Sequence, residues 1–204
     1  EWTLGHTDPD ARGNRRYFTL ASSPTEQNLK LGVKFDKASS TYKKAMLSLD
    51  RNSVIMASQI TGDFTLPQDP NQTCVFFAGG IGITPFRSMI KYLLDTRQRR
   101  PITLVYAAKT TDDIVYKDIF DRAEKELGIK VIYTLTDTTR VPGSWRGNVG
   151  RVTPELIAKQ ISGNGKALYY LSGGRDMVDS FKDTLRKLEI PNSQIITDYF
   201  AGLT

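Results

Sequence analysis

Two short stretches hold residue types whose spacing could do chemistry. The first is Gly80-x-Gly82-x-x-Pro85, set between the apolar run Cys74 to Ala78 and a helix-like run. Glycines there let backbone N–H groups approach an anion with no Cβ in the way, and a proline in the first helical turn has no N–H to lose. A helix N-terminus adds about 0.3 to 1 kcal/mol of attraction for a negative group, up to about 2, beyond those hydrogen bonds. Such a turn can seat a diphosphate. The second stretch is Arg16-Tyr17-Phe18-Thr19, with Ser23-Pro24 just beyond it. In an extended strand Arg16 and Phe18 share one face, Tyr17 and Thr19 the other. An arginine can hold a diphosphate bidentately, an aromatic can stack on a flat ring system, and a threonine can hydrogen-bond a ring nitrogen.

Each stretch also has a plainer meaning, as a tight strand-to-helix turn and as an ordinary amphipathic strand. No Gly-Lys-Ser/Thr follows Gly82, which excludes a nucleoside-triphosphate loop. Pro85 stands where the Rossmann dinucleotide fingerprint has its third glycine, so that fingerprint is also incomplete.

The elements that must position these residues fall into two regimes. Before residue 62 the chain is dense in short strand-like runs, Arg16 to Ala21, Leu29 to Phe35 and Val54 to Ile60, with Ser23-Pro24 and Asp50-Arg51-Asn52 as turns. This spacing predicts an antiparallel barrel or sandwich. Only Ser40 to Leu49 reads as helix, capped by Ser39 or Ser40. After the Pro- and Asn-rich connector 66–71, strands Cys74 to Ala78, Ile102 to Ala108, Lys130 to Thr136, Ala167 to Ser172 and Gln194 to Tyr199 alternate with helices. The helices run Pro85 to Thr96, Tyr116 to Leu127, Pro154 to Ile161 and Asp176 to Leu188. That alternation predicts a doubly wound parallel α/β sheet of about five strands with right-handed crossovers. The expected division is an antiparallel unit over residues 1–70 and an α/β unit over 71–204.

The chain has 204 residues, 39% of them hydrophobic and 25% charged, enough for a sizeable core in one or two domains. No apolar run approaches the roughly 20 residues of a transmembrane helix. The formal net charge is +6, but basic and acidic residues are interleaved, so nucleic acid is not an expected partner. A single cysteine rules out an internal disulfide, a zinc cluster or a cysteine-ligated iron–sulfur centre within the chain. No metal site is expected, and the compartment is read as reducing and cytoplasmic, with any membrane tether supplied by a segment absent from this chain.

Four stretches together resemble the ferredoxin-NADP reductase family, flavin enzymes that pair a flavin-binding barrel with a nucleotide-binding α/β domain. Arg16-Tyr17-Phe18-Thr19 is similar to the family's Arg-x-Tyr-Ser/Thr flavin motif, and Gly79 to Arg87 to its nicotinamide-nucleotide diphosphate motif. Tyr170 to Met177 resembles its Cys-Gly-Pro-x-x-Met segment, and Asp198-Tyr199-Phe200-Ala201-Gly202 its closing acid-x-aromatic element.

The resemblance implies a role for each matching residue. Arg16 would bind the flavin phosphates, Phe18 stack on the isoalloxazine and Thr19 hydrogen-bond near N5. Val33 and Lys34 would line the flavin, with Ser40 and Thr41 holding its diphosphate. Gly80, Gly82 and Thr84 would hold the nicotinamide nucleotide, Ser172, Gly173 and Met177 would lie beneath it, and Phe200 would cover the flavin until nicotinamide displaces it. Thr19, Ser172 and Phe200 would therefore stand at the reacting centre. FAD is the implied cofactor because Ser40 and Thr41 offer a diphosphate seat, although the monophosphate FMN could use the same place. Where the family meets a 2'-phosphate, this chain has Thr136 and Asp137; the carboxylate repels a phosphate and favours NADH over NADPH, while Lys109 and Arg140 nearby pull the other way.

The chain departs from the pattern in three places. Ser172 replaces the family's cysteine and Phe18 its tyrosine. A barrel needs about six strands, and only about four can be counted before Gly62, so one or two are expected upstream of Glu1. The activity implied is hydride transfer from NAD(P)H to the flavin and electron delivery to an acceptor protein or small molecule outside the chain. Two alternatives are the reductase portion of a larger membrane or multi-domain electron-transfer protein, and a nucleotide-sensing module without turnover, which Ser172 favours. Among weaker signals, His6 reads as a solvated loop residue, Cys74 as core and Arg97 to Arg100 as a helix C-terminal cap, with acceptor docking the sharper alternative for the last. Trp145 lies in a Gly- and Pro-rich loop and reads equally as packing or as a residue near bound nucleotide.

Overall fold

A computed structural model describes residues 1–36, 39–58, 60–161 and 166–200. The first unit is built from β1 (Trp2–Thr3), β2 (Arg15–Arg16), α1 (Thr41–Met46) and β3 (Met56–Ala57). β1 is the middle strand of a three-stranded antiparallel sheet, pairing Trp2 with Arg16 on one side and with Ala57 on the other. Leu20 and Leu31 add an isolated antiparallel bridge.

These strands are shorter than the runs Arg16 to Ala21, Leu29 to Phe35 and Val54 to Ile60 suggest. Period-two alternation marks a strand only where a neighbour offers a hydrogen-bond ladder, and among the described residues the ladders reach just these pairs. Val54 and Ile60, outside the ladders, stay exposed, and so does Met56 within β3. Helix α1 is also shorter than the expected Ser40 to Leu49, because Leu47 and Ser48 close it with tight bonds to Lys44 and Ala45 carbonyls. Ser40 is its cap, accepting from the Lys43 N–H. Tyr42 is buried beneath this sheet and donates to the Trp2 carbonyl at 3.1 Å.

The second unit is a parallel sheet. Its strands are β4 (Cys74–Gly79), β5 (Ile102–Ala108), β6 (Lys130–Leu135), β7 (Asn148–Val149), β8 (Leu168–Gly173) and β9 (Ile195–Tyr199), in the spatial order β7-β6-β5-β4-β8-β9. Helices α2 (Thr84–Asp95), α3 (Lys117–Leu127), α4 (Pro154–Ile161) and α5 (Arg175–Lys187) connect them. Five of the six strands fall where the apolar runs placed them. The sixth, β7, is a two-residue edge strand inside the Gly- and Pro-rich loop, held by pairing with Thr134 and Leu135 and not by any apolar run of its own.

Parallel strands covered on both faces read as continuous apolar runs, and β4 shows why. Cys74, Phe76 and Ala78 point into one core with Phe86, Ile90 and Leu93 of α2 and Phe120 of α3. Val75 and Phe77 point into another with Ile157 of α4 and Val178, Phe181 and Leu185 of α5. Each helix presents apolar residues at spacings of three and four, as Phe86, Met89, Ile90, Leu93 and Leu94 do in α2. Gly128, at φ 74°, closes α3 in the left-handed conformation that a C-terminal cap requires.

From central β4 the chain winds outward through β5, β6 and β7, then returns to lay β8 and β9 on the opposite side. The two windings diverge between β4 and β8. In open parallel sheets that divergence leaves a crevice beyond the carboxyl ends of the strands, and ligands bind there.

Candidate functional site at the sheet crevice

A short 3-10 turn over Gly80–Ile83 leads from β4 into α2 at this crevice, with Pro85 in the first helical turn. The two glycines serve different needs. Gly80 has φ 52° and open space around its Cβ position, so its requirement is conformational. Gly82 is needed for contact: a Cβ there would sit inside the Ser172 carbonyl and the Gly173 Cα at the end of β8. Gly79 is pressed by the Met177 side chain in the same way, as is Gly173 at φ 156°. Gly80, Gly82, Gly173 and Met177 are thus brought together where β4 and β8 end. Thr84 is buried and its hydroxyl donates to the Ile81 carbonyl at 3.2 Å, so that hydroxyl closes the turn.

Facing this turn is a cavity of about 950 Å³ between the two units. Phe18, Thr19, Val33 and Lys34 line it from the antiparallel unit, and Phe200 from the end of β9. The Phe200 N–H donates to the Gly173 carbonyl at 3.0 Å, which ties the aromatic to the glycine that lies against the nucleotide turn. Ala201 and Gly202 of the same element lie outside the described residues.

At the floor of the cleft Thr19 Oγ1 donates to Asp198 Oδ2 at 3.2 Å. Burial raises the Asp198 carboxyl above its ordinary value, and the Thr19 and Ser172 hydroxyls oppose that shift by favouring the ionised form. Ser172 is fully buried at the end of β8, and its Oγ, close to that carboxyl, completes no hydrogen bond with well-formed geometry among the described residues. Sequence spacing alone does not single out Asp198, the first residue of the closing element; its β9 position opposite Ser172 in the register does.

The expected flavin-phosphate anchors lie elsewhere. Arg16 Nη2 donates to Asp10 Oδ1 at 2.6 Å, while Nη1 donates to the Arg12, Gly13 and Arg15 carbonyls. Its guanidinium lies 5.1 Å from the Tyr42 ring centroid, and Phe18 packs on the same ring at 5.9 Å, so the shared face expected of Arg16 and Phe18 is present. Ser40 Oγ accepts from the Lys43 N–H and Thr41 Oγ1 from the Asp10 N–H. Thr41 borders a second cavity, of about 650 Å³, beside His6. His6 is half-buried, edge-on to Tyr42, its Nε2 without a hydrogen bond. Lys34, besides lining the cleft, donates from Nζ to Asp113 Oδ1 at 3.0 Å.

Thr136 and Asp137 follow β6, with their N–H groups donating to the Ala108 and Lys109 carbonyls. The Asp137 carboxyl is held down to about 2, chiefly by the Thr139 hydroxyl and then by Arg140, whose Nε donates to Oδ2 at 2.8 Å. Trp145 donates from Nε1 to the Asn148 carbonyl and stands edge-on to Tyr133 at 6.5 Å. Arg99 and Arg100 donate to the Glu126 and Pro67 carbonyls, and Arg100 also borders the cleft. Cys74 is buried core.

A glycine-lined crevice at the divergence of a parallel sheet, opening on a cleft walled by an antiparallel unit, has the geometry of a dinucleotide site in a doubly wound fold. Residues 76–183 match the family described as oxidoreductase NAD-binding domain, more than half of the chain, and the chain belongs to that family. It is 24% identical over 205 residues to a flavohemoprotein of Oceanobacillus iheyensis, covering 96% of this chain and 49% of that protein. It is 27% identical over 201 residues to NADH-cytochrome b5 reductase 1 of Meyerozyma guilliermondii, covering 94% of this chain and 69% of the other. The fold superposes on ferredoxin-NADP+ reductase from Plasmodium falciparum with a TM-score of 0.73 at 19% identity, over 98% of this chain and 81% of that one. The chain spans about half the length of the flavohemoproteins it matches, 49% and 43%. Among the described residues no helix is long and apolar enough to cross a membrane.

Proposed function

We propose that the cleft is where a nicotinamide ring meets a flavin, and that the chain is the NAD(P)H-oxidising part of a flavoprotein reductase, with the unit boundary between residues 70 and 71. The observation that carries this reading is the meeting of Thr19 from one unit with Asp198 and Ser172 from the other, directly beside the Gly80–Gly82 turn.

The residues fit the ring part of a flavin. The cleft has the volume and apolar walls of a cofactor pocket, with Phe18 and Val33 as walls and the Thr19 hydroxyl bonded to Asp198 among its lining groups. Arg16 and Thr41 fit the phosphates once Asp10, which now occupies both, gives way. A bound flavin, FAD by this reading, would accept hydride from the nicotinamide and pass electrons on to an external acceptor.

The protein's own contribution is placement. Gly80 and Gly82 keep the turn free of side chains for the dinucleotide diphosphate, Thr84 holds its shape, and Met177 packs beneath it. The Ser172 hydroxyl, beside the Asp198 carboxyl, is placed to meet a polar group of the incoming nicotinamide, and the Thr19–Asp198 bond fixes the depth at which the two rings meet. Phe200, tethered through its N–H to Gly173, covers the cleft and excludes water until a nicotinamide takes its place. Alignment of this kind is worth roughly 7–11 kcal/mol of barrier, and no side-chain acid or base is needed. Asp137 favours NADH by facing the adenosine ribose with negative charge. The acceptor is a protein or small molecule outside the chain, in a cytoplasmic setting.

Anaerobic titration of the FAD-reconstituted protein with NADH and NADPH tests this. Bleaching of the flavin band, faster with NADH, is expected. Failure to take up either FAD or FMN, or a bound flavin that neither nucleotide bleaches, would overturn it.

A further inference from the structure

The interface beside the cleft contains a charged pair that the reaction does not use. Arg87 lies on α2, three residues beyond Thr84, and is only 4% exposed. Its Nη1 donates to the Ala21 carbonyl at 2.9 Å, and the guanidinium grips both carboxylate oxygens of Glu26 in the antiparallel unit, one of them at 2.9 Å. The Glu26 carboxylate is saturated on its own side by the Ser23 N–H and Lys30 Nζ, both at 2.8 Å. The guanidinium also covers the Tyr116 ring at 5.4 Å. Ser88, the next residue on α2, donates to the Ser22 carbonyl at 2.7 Å.

We propose that Glu26 and Arg87 form a clamp that sets the angle between the two units, and so are positioning residues for hydride transfer. The inference rests on the function proposed above. It follows from where the clamp attaches. Ala21 is two residues beyond Thr19, and Arg87 is three beyond Thr84. Arg87 therefore joins the segment after Thr19, through the Ala21 carbonyl and the bidentate pair at Glu26, to the helix that begins at the diphosphate turn. Elsewhere between these segments the contacts are single hydrogen bonds, Ser88 to the Ser22 carbonyl and Thr25 to Asp95, and a small patch where Gly32 has no Cβ because the Thr84 methyl, Ile81 and Tyr116 fill that space. Such packing tolerates sliding, whereas a planar guanidinium locked on a carboxylate and a carbonyl admits one geometry. A buried pair of this kind is a weak source of stability compared with an apolar pair of the same shape, but it specifies orientation well. Misplacement of reacting groups by about 1 Å costs on the order of 10²-fold in rate.

The test compares Glu26→Gln, Arg87→Lys and the double variant Glu26→Gln/Arg87→Met, all FAD-reconstituted, by stopped-flow flavin reduction. The double variant leaves no unpaired buried charge and so separates folding from positioning. It is expected to unfold near the wild-type temperature and to lose about 100-fold in flavin-reduction rate, with the NADH concentration for half-saturation unchanged; Arg87→Lys should fall between. Spin labels on Asp8→Cys and Lys125→Cys, two exposed positions in different units, read the geometry without activity, and the distance distribution should broaden in the double variant. If the double variant does not fold, Glu26→Gln carries both measurements. Wild-type rates together with an unbroadened distribution would overturn the clamp. A wild-type protein whose flavin NADH does not reduce would count against the proposed function, and the distance measurement would then decide the clamp by itself.

Discussion

Thr19 and Asp198, 179 residues apart, share a hydrogen bond of 3.2 Å across the junction of the two units. The bond joins the segment between β2 and the Leu20–Leu31 bridge to the last parallel strand, and it holds a carboxyl raised by burial whose ionised form has few other supports. Replacing Thr19 by Val keeps the shape and removes the donor. Asp198 should then titrate at still higher pH, seen as a shifted midpoint of its carboxyl band in difference infrared spectra. Flavin reduction should slow by about 10²-fold as the depth of the cleft is lost, with flavin still bound.

Gly80 and Gly82 make separable predictions. Gly82→Ala drives a methyl into the Ser172 and Gly173 backbone, which cannot give way as a flexible side chain would. Thermal and urea unfolding should show a loss of about 1–3 kcal/mol, and NADH should no longer perturb the flavin spectrum. Gly80→Ala meets open space and pays only for left-handed backbone, about 1–2 kcal/mol, with NADH binding weakened less.

Glu26 gives a pH signature. Its carboxyl is held far below the ordinary 4.5, first by Arg87, with Lys30 and the Ser23 N–H adding to this against the cost of burial. A depressed carboxyl contributes stability that is fully present above the unfolded-state value and is lost as pH falls below it toward the folded value. The wild-type unfolding temperature should decline as pH drops below about 4.5, and Glu26→Gln should be less stable at neutral pH with a flatter decline. A variant with the same acid slope as the wild type would contradict the pairing.

Asp10 stands on the two groups a flavin diphosphate would use, Arg16 and Thr41. Asp10→Asn keeps the local turn and removes the competing charge. FAD affinity, followed by fluorescence quenching, should rise about tenfold, one such step being 1.4 kcal/mol. An unchanged or weaker affinity would mean that the phosphates sit elsewhere.

Cys74 should be inert. Burial pushes its thiol up to about 12, so at pH 8 the thiolate is absent. Aromatic disulfide reagents should label it only after unfolding, at the rate of global opening.

The amino-acid sequence by itself determined the parallel unit. Its strands are buried on both faces, so each must be a continuous apolar run, and its helices must show spacings of three and four; both patterns are local and need no knowledge of neighbours. The Gly80–Gly82 turn was legible for the same reason, though the sequence could not say that Gly80 is needed for its backbone angle and Gly82 for contact with β8. Only the tertiary structure decided the rest. The antiparallel runs became strands just where a partner lay alongside, and β7 formed from pairing in a loop with no apolar signal. Arg16, chemically able to hold a diphosphate, is held by Asp10 six residues before it, because a charge buried beside Tyr42 must be paired. Thr19, Ser172 and Asp198 become one site, and Glu26 and Arg87 one contact, only when the sheet order and the docking of the two units bring distant segments together. Side-chain periodicity reports which face of an element is buried, never what is buried against it.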